Sequence, residues 1–149
     1  MPGRLQISVD CIDPAPLVAF WAAALGYQVE DPPAGFGTWN DYYRSLGVPD
    51  DELDDAQDAA DSIVEPAGAG PRIRFEPVPE RKAVKNRLHF DLKVADRSAP
   101  VAARMVTVDA EVGRLMALGA TVVRRVPPGV IDHYFVVMGD PEGNEFCVA

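Results

Sequence analysis

Apolar and polar residues alternate from the start of the chain. Leu5, Ile7 and Val9 interleave with Gln6, Ser8 and Asp10, a period of two that predicts a strand over Arg4 to Cys11 with unlike faces. The period then changes. Leu17, Phe20, Trp21, Ala24 and Leu25 recur at helical spacing behind Asp13, a residue suited to an N-cap, and Pro14, suited to the first helical position. Gly26 supplies the stop, and Tyr27 to Glu30 reads as a short second strand halted by Pro32 and Pro33. Phe20, Trp21, Met105 and Met116 are expected in the core.

The same order of elements returns downstream. LHFDLKVAD lies over LQISVDCID without gaps, setting His89 on Gln6, Asp91 on Ser8 and Asp96 on the capping Asp13. After an apparent insertion made mostly of Ser98 to Val106, a helix is expected over Val108 to Leu118, and LGATVV follows it as LGYQV follows the first. Asp140-Pro141-Glu142-Gly143, before a last strand, matches Glu65-Pro66-Ala67-Gly68, before a strand over Arg72 to Val78. Another strand is expected over Tyr134 to Met138. The halves differ most between Trp39 and Ser62, where the first carries an acidic insertion opening on a short helix. Such a run is a solvated face or, being long, a rim over a pocket. Glu80 to Asn86, polar and basic, reads as the linker.

Composition narrows the class. At 149 residues, 48% hydrophobic and 25% charged, the chain can bury a core of its own. A net charge of -9 disfavours phosphate backbones and anionic lipid, so neither nucleic acid nor membrane is the expected partner; a small molecule is. Polar residues come early at the N-terminus and no apolar run approaches a membrane span, which predicts cytoplasmic residence. Cys11 and Cys147, each in an apolar strand-like segment, read as small buried hydrophobes in a reducing compartment. No nucleophile is bracketed by triad partners, and no phosphate loop, CxxC or zinc-helix motif occurs.

Two βαβββ modules with helices ending in LGY or LGA, a DPxxLxxFW helix at Asp13 to Trp21, KNRLHFDL at Lys85 to Leu92 and a closing DPEGNEF resemble the vicinal oxygen chelate superfamily. That superfamily includes glyoxalase I, bleomycin-resistance proteins and extradiol dioxygenases, and the glyoxalase-like domain proteins are the nearest look-alikes. The resemblance implies an α+β fold: two tandem modules forming an eight-stranded, cup-like open barrel with helices outside. One domain would span residues 1–149, with module 1 over about 4–80, its insertion over 39–62, and module 2 over about 87–149. Members often pair, so a homodimer is possible.

The family's metalloenzymes hold a divalent ion with one side chain from the first and fourth strands of each module. By that resemblance the ligands would be Gln6, Glu76, His89 and Glu145, holding one zinc, nickel, manganese, iron or magnesium ion. Arg72, Arg74 and Glu76 share a face by alternation, and a slip of two residues would put Arg74 inward in place of Glu76. His89 can instead be structural, and Glu145 can instead satisfy a turn or pair with Arg87 or Arg124.

Two functions stay open. One is a metal-dependent lyase or isomerase acting beside a carbonyl or enolate oxygen, with Glu145 or Glu76 as the catalytic proton carrier. The other is a metal-free protein of the bleomycin-resistance type that sequesters a small molecule, with Trp39, Tyr42, Arg74 and His133 contacting the ligand and Tyr43 adding to the aromatic wall. Ring-cleaving dioxygenase activity is disfavoured, because Gln6 stands where those enzymes place histidine and the chain has only two histidines. On either surviving reading Gln6, His89 and Glu145 are expected to face a common cavity.

Overall fold

The computed structural model describes residues 4–53, 60–129 and 133–149. The elements run β1 (Gln6–Cys11), α1 (Pro14–Leu25), β2 (Gln28–Val29), α2 (Trp39–Ser45), a 3-10 turn (Asp50–Glu52), β3 (Ser62–Val64) and β4 (Arg72–Pro77). They continue with β5 (Asp91–Leu92), α3 (Val101–Ala117), β6 (Thr121–Val126), β7 (Phe135–Gly139) and β8 (Glu145–Val148). This is an α+β fold of two compact units, the first ending at Glu80 and the second beginning at Arg81, within the expected linker.

Each unit holds one four-stranded sheet, ordered β1-β4-β3-β2 and β5-β8-β7-β6. In both, the first strand pairs parallel with the fourth, and the fourth and second flank the third antiparallel. The internal repeat is therefore a repeat of topology. The matched turns agree as well: Gly68 at φ 71° donates its N–H to Glu65 O, and Gly143 at φ 83° donates to Asp140 O. Both glycines occupy the left-handed region that a side chain resists.

Local chemistry explains α1. Asp13 Oδ1 accepts the N–H of Ala15 at 3.1 Å, Pro14 needs no donor at the first position, and Gly26 closes the helix at φ 68°. Its buried residues Leu17, Val18, Phe20 and Trp21 join Cys11, Ile63, Ile73 and Phe75 in the first core, with the Phe20 and Trp21 rings edge to face at 5.1 Å. The second core gathers Leu92, Val108, Val112, Leu115, Val136, Met138, Phe146 and Val148.

The helix of the second unit departs from the expectation. The helix α3 begins at Val101, so most of the apparent insertion Ser98 to Val106 is its opening turns. Asp96 does not cap it: its Oδ1 takes the N–H and hydroxyl of Ser98 in a local turn. Pro100, extended at ψ 145°, stands at the N-cap without a side-chain bond, and Arg104 ties the start down through its N–H to Pro100 O and its Nε to Ala99 O. Met116 is half exposed and Met105 half-buried, because the buried stripe runs through Arg104, Val108, Val112 and Leu115. Cys11 is buried as expected, whereas Cys147 is only partly so.

No helix among the described residues is long and apolar enough to cross a membrane.

Candidate functional site

The strand β4 carries Ile73 and Phe75 into the first core, which turns Arg72, Arg74 and Glu76 to the opposite face. Rung partners share a face, so Gln6 lies beside Arg72, Ser8 and Ser62 beside Arg74, and Asp10 beside Glu76. This face is polar throughout and internally paired. Arg72 donates Nη1 to Gln6 Oε1 at 3.0 Å and grips Glu30 through Nε at 2.9 Å and Nη2 at 2.6 Å. Arg74 donates Nε to Asp61 Oδ2 at 2.8 Å and pairs through Nη1 with Glu76 at 2.9 Å. The carboxylates raise both guanidinium pKa values, above all through the hydrogen bond that Arg72 donates to Glu30 and the one that Arg74 donates to Asp61.

The insertion builds a cleft at one end of this face. Thr38 Oγ1 caps α2 by accepting the N–H of Asp41, and Arg44 joins Asp41 to Asp50, tying the helix to the 3-10 turn. Trp39 donates its indole N–H to Glu30 O at 3.2 Å. Together these elements enclose about 550 Å³, lined by Trp39 and Tyr43 among the aromatics and by Asp61, Arg74 and Glu76 from the sheet side. Asp13 and Glu52 add two more carboxylates. Of the expected ligand contacts, Trp39 and Arg74 line the cleft. Tyr42 does not; it is edge to face with Phe36 at 5.3 Å and with Trp39 at 6.0 Å, and Tyr43 takes the lining position. Residues 54–59 of the acidic run lie outside the described residues.

In the second unit, Glu145 shares the face opposite Phe146 and Val148. Its Oε2 accepts the N–H of Asn86 at 3.0 Å and pairs with Lys82 at 3.2 Å, not with Arg87 or Arg124. The Asn86 N–H first, and Lys82 with it, hold the Glu145 carboxyl below its ordinary pKa. His89 Nε2 lies 3.5 Å from Asp91 Oδ1. His133 rests against Phe135 with ring centroids 5.3 Å apart, while residues 130–132 of the turn before it are outside the described set.

A sequence model of the Glyoxalase-like domain family matches residues 6–149. The chain belongs to that family, within the vicinal oxygen chelate superfamily. No curated protein matches it in sequence. Solved structures similar to this glyoxalase-like chain include the fosfomycin resistance protein FosX of Listeria monocytogenes, at 12% identity and TM-score 0.59 over 99% of this chain and 92% of that one. A glyoxalase/bleomycin resistance protein/dioxygenase family enzyme of Burkholderia phytofirmans is similar at 17% identity and TM-score 0.56, over 96% and 94%. The hypothetical protein SA1046 of S. aureus is similar at 16% and 0.55, over 99% and 96%. At these identities the likeness concerns fold.

The register of the glyoxalase-like sheets tests the four-ligand metal centre that such a fold implies. Cys147 pairs with Asp91 as Arg74 pairs with Ser8, so two residues back Glu145 is equivalent to Arg72. The fourth-strand position of the first module is thus a guanidinium, not Glu76 and not Arg74. Gln6, its rung partner, already gives its amide oxygen to Arg72. A fixed positive charge at one vertex repels a cation and takes a second ligand, and Lys82 occupies the Glu145 carboxylate. The residues present do not fit that centre. Arg72 was read on the same face as Arg74 and Glu76 but not as the fourth-strand position, because three residues of one strand share that face and only pairing tells them apart. Cys147 was missed, although its alternation with Phe146 and Val148 was readable and puts it beside Glu145 and Asp91.

Proposed function

We propose that this glyoxalase-like protein binds a small organic cation in the first-module cleft, without a divalent ion at the family's four-ligand position. The observation that carries the reading is the place of Arg72, on the rung where a fourth-strand ligand would stand and clasped by Glu30 and Gln6. A binding role needs no such ligand. The cleft suits it: Trp39 and Tyr43 offer flat apolar surface and attraction for a cation, and four carboxylates, Asp13, Glu52, Asp61 and Glu76, outnumber the single guanidinium of Arg74. The volume of about 550 Å³ lies in the range of drug-sized ligand sites.

A thermal-shift screen of planar cationic compounds, cationic antibiotics among them, against neutral and anionic metabolites tests the proposal at constant pH and salt. Cationic aromatics are expected to raise the melting temperature, and Trp39→Ala and Glu76→Gln to abolish the effect. Stabilisation by anions only, or a shift indifferent to both substitutions, contradicts it. Metal uptake measured by dialysis is expected to be the same in Gln6→Ala and Arg72→Ala as in the unaltered chain; loss of an ion in Gln6→Ala would restore the metalloenzyme reading.

A further inference from the structure

A different cluster lies on the second sheet. Asp91 and Cys147 are rung partners of β5 and β8, so their side chains share a face, and His89, just before β5, brings its Nε2 to 3.5 Å from Asp91 Oδ1. One ligating atom from each of His89, Asp91 and Cys147 lies within 4.8 Å of the other two. The backbone beneath is fixed by Cys147 N–H to Phe90 O at 2.8 Å and Ala149 N–H to Leu92 O at 2.9 Å. All three residues belong to the second unit.

We propose that His89 Nε2, an Asp91 carboxylate oxygen and Cys147 Sγ form a three-ligand site for a borderline-soft divalent cation of the zinc type, with water completing a tetrahedron. Ligand atoms 2.0–2.3 Å from such an ion stand roughly 3.3–3.8 Å apart. The 3.5 Å between His89 Nε2 and Asp91 Oδ1 already meets that spacing, and Cys147 Sγ lies within 4.8 Å of both ligand atoms. One thiolate, one imidazole and one carboxylate select zinc over magnesium or calcium, which need oxygen ligands. Two positive charges oppose the ion. Lys93 Nζ is 3.8 Å from Asp91 Oδ2, and Lys85 also acts on Cys147. Lys93 is 63% exposed in its side chain and can turn into solvent when an ion takes its place. Binding replaces the S–H bond of Cys147 with a metal–sulfur bond and releases the proton to water. Neither Glu145 nor any first-unit residue takes part, so this site and the cleft proposed above stand or fall separately.

Titrating the reduced full chain with cobalt(II) tests the site through a readout specific to sulfur. The expected result is a near-ultraviolet thiolate-to-cobalt charge-transfer band that saturates at one ion per chain and disappears on adding zinc. Cys147→Ser is expected to remove the band. His89→Ala and Asp91→Asn are expected to weaken binding by more than the roughly tenfold that loss of a supporting residue costs, and Gln6→Ala and Glu145→Gln to leave it unchanged. On the unaltered chain, zinc is expected to protect Cys147 from alkylation, reversibly on chelation, as read by mass spectrometry of its peptide. Absence of the band, its survival in Cys147→Ser, or alkylation of Cys147 indifferent to zinc would overturn the proposal.

Discussion

Glu145 illustrates how one carboxylate's neighbours decide its work. Its partners, the Asn86 N–H and Lys82, both favour the ionised form, so its folded pKa lies below that of the unfolded chain. A depressed acid stabilises the fold above its unfolded pKa and loses that contribution as pH falls through the folded value. Glu145→Gln is therefore expected to lower stability at neutral pH by about 1 kcal/mol, the scale of one charge-assisted bond at a partly open site. The difference should fade below the ordinary carboxylate range. Urea unfolding of both proteins at stepped pH measures it, and a gap that widens in acid would contradict the assignment. What the sequence disclosed about this residue was its strand and its face. Lys82 and Asn86, some sixty positions away in the chain, were not legible as partners, since no local pattern records where a linker returns.

At the level of elements, legibility followed the punctuation. Asp13, Pro14, Gly26, Gly68 and Gly143 each do their work within a turn of their own position, so α1 and the two matched turns are where the residues predict them. The start of α3 has no side-chain cap to announce it, and reading Ser98 to Val106 as an insertion placed the helix seven residues late. Two glycines separate backbone from packing at these elements. A Cβ at Gly26 would touch nothing within 4 Å, yet φ is 68°, so Gly26→Ala should cost about 1 kcal/mol through backbone strain alone. Gly113, inside α3, also has nothing within 4 Å and needs no positive φ. Gly113→Ala is expected to stabilise by roughly 0.5–1 kcal/mol. Denaturant midpoints of opposite sign for the pair are the expected outcome; two losses would show that α3 has a neighbour at Gly113.

For the whole molecule, the net charge of -9 bears on ligand capture more than on architecture. If the cleft takes cations, raising salt from about 0.05 to 0.5 M should weaken their binding several-fold, since the Debye length falls well below the size of the cleft. Neutral analogues of equal shape should be nearly indifferent. Calorimetric titration at the two ionic strengths distinguishes the cases, and equal salt dependence for both would place the recognition in apolar contact. The repeated order of elements was legible once the two halves were compared, whereas the parallel pairing of first and fourth strands leaves no mark in either strand alone.

The clasp of Glu30 on Arg72 also constrains how the chain can change through descent. An acid at position 72 would match Glu145 in the other module, but arriving first it would face Glu30 across the space that the guanidinium now fills. Arg72→Glu alone should cost roughly 2–3 kcal/mol, and adding Glu30→Gln should recover most of it. The order of steps is thus not free. A carboxylate at position 72 is reached at lower cost once Glu30 has been replaced, so the order of the two substitutions decides how stable the intermediate is.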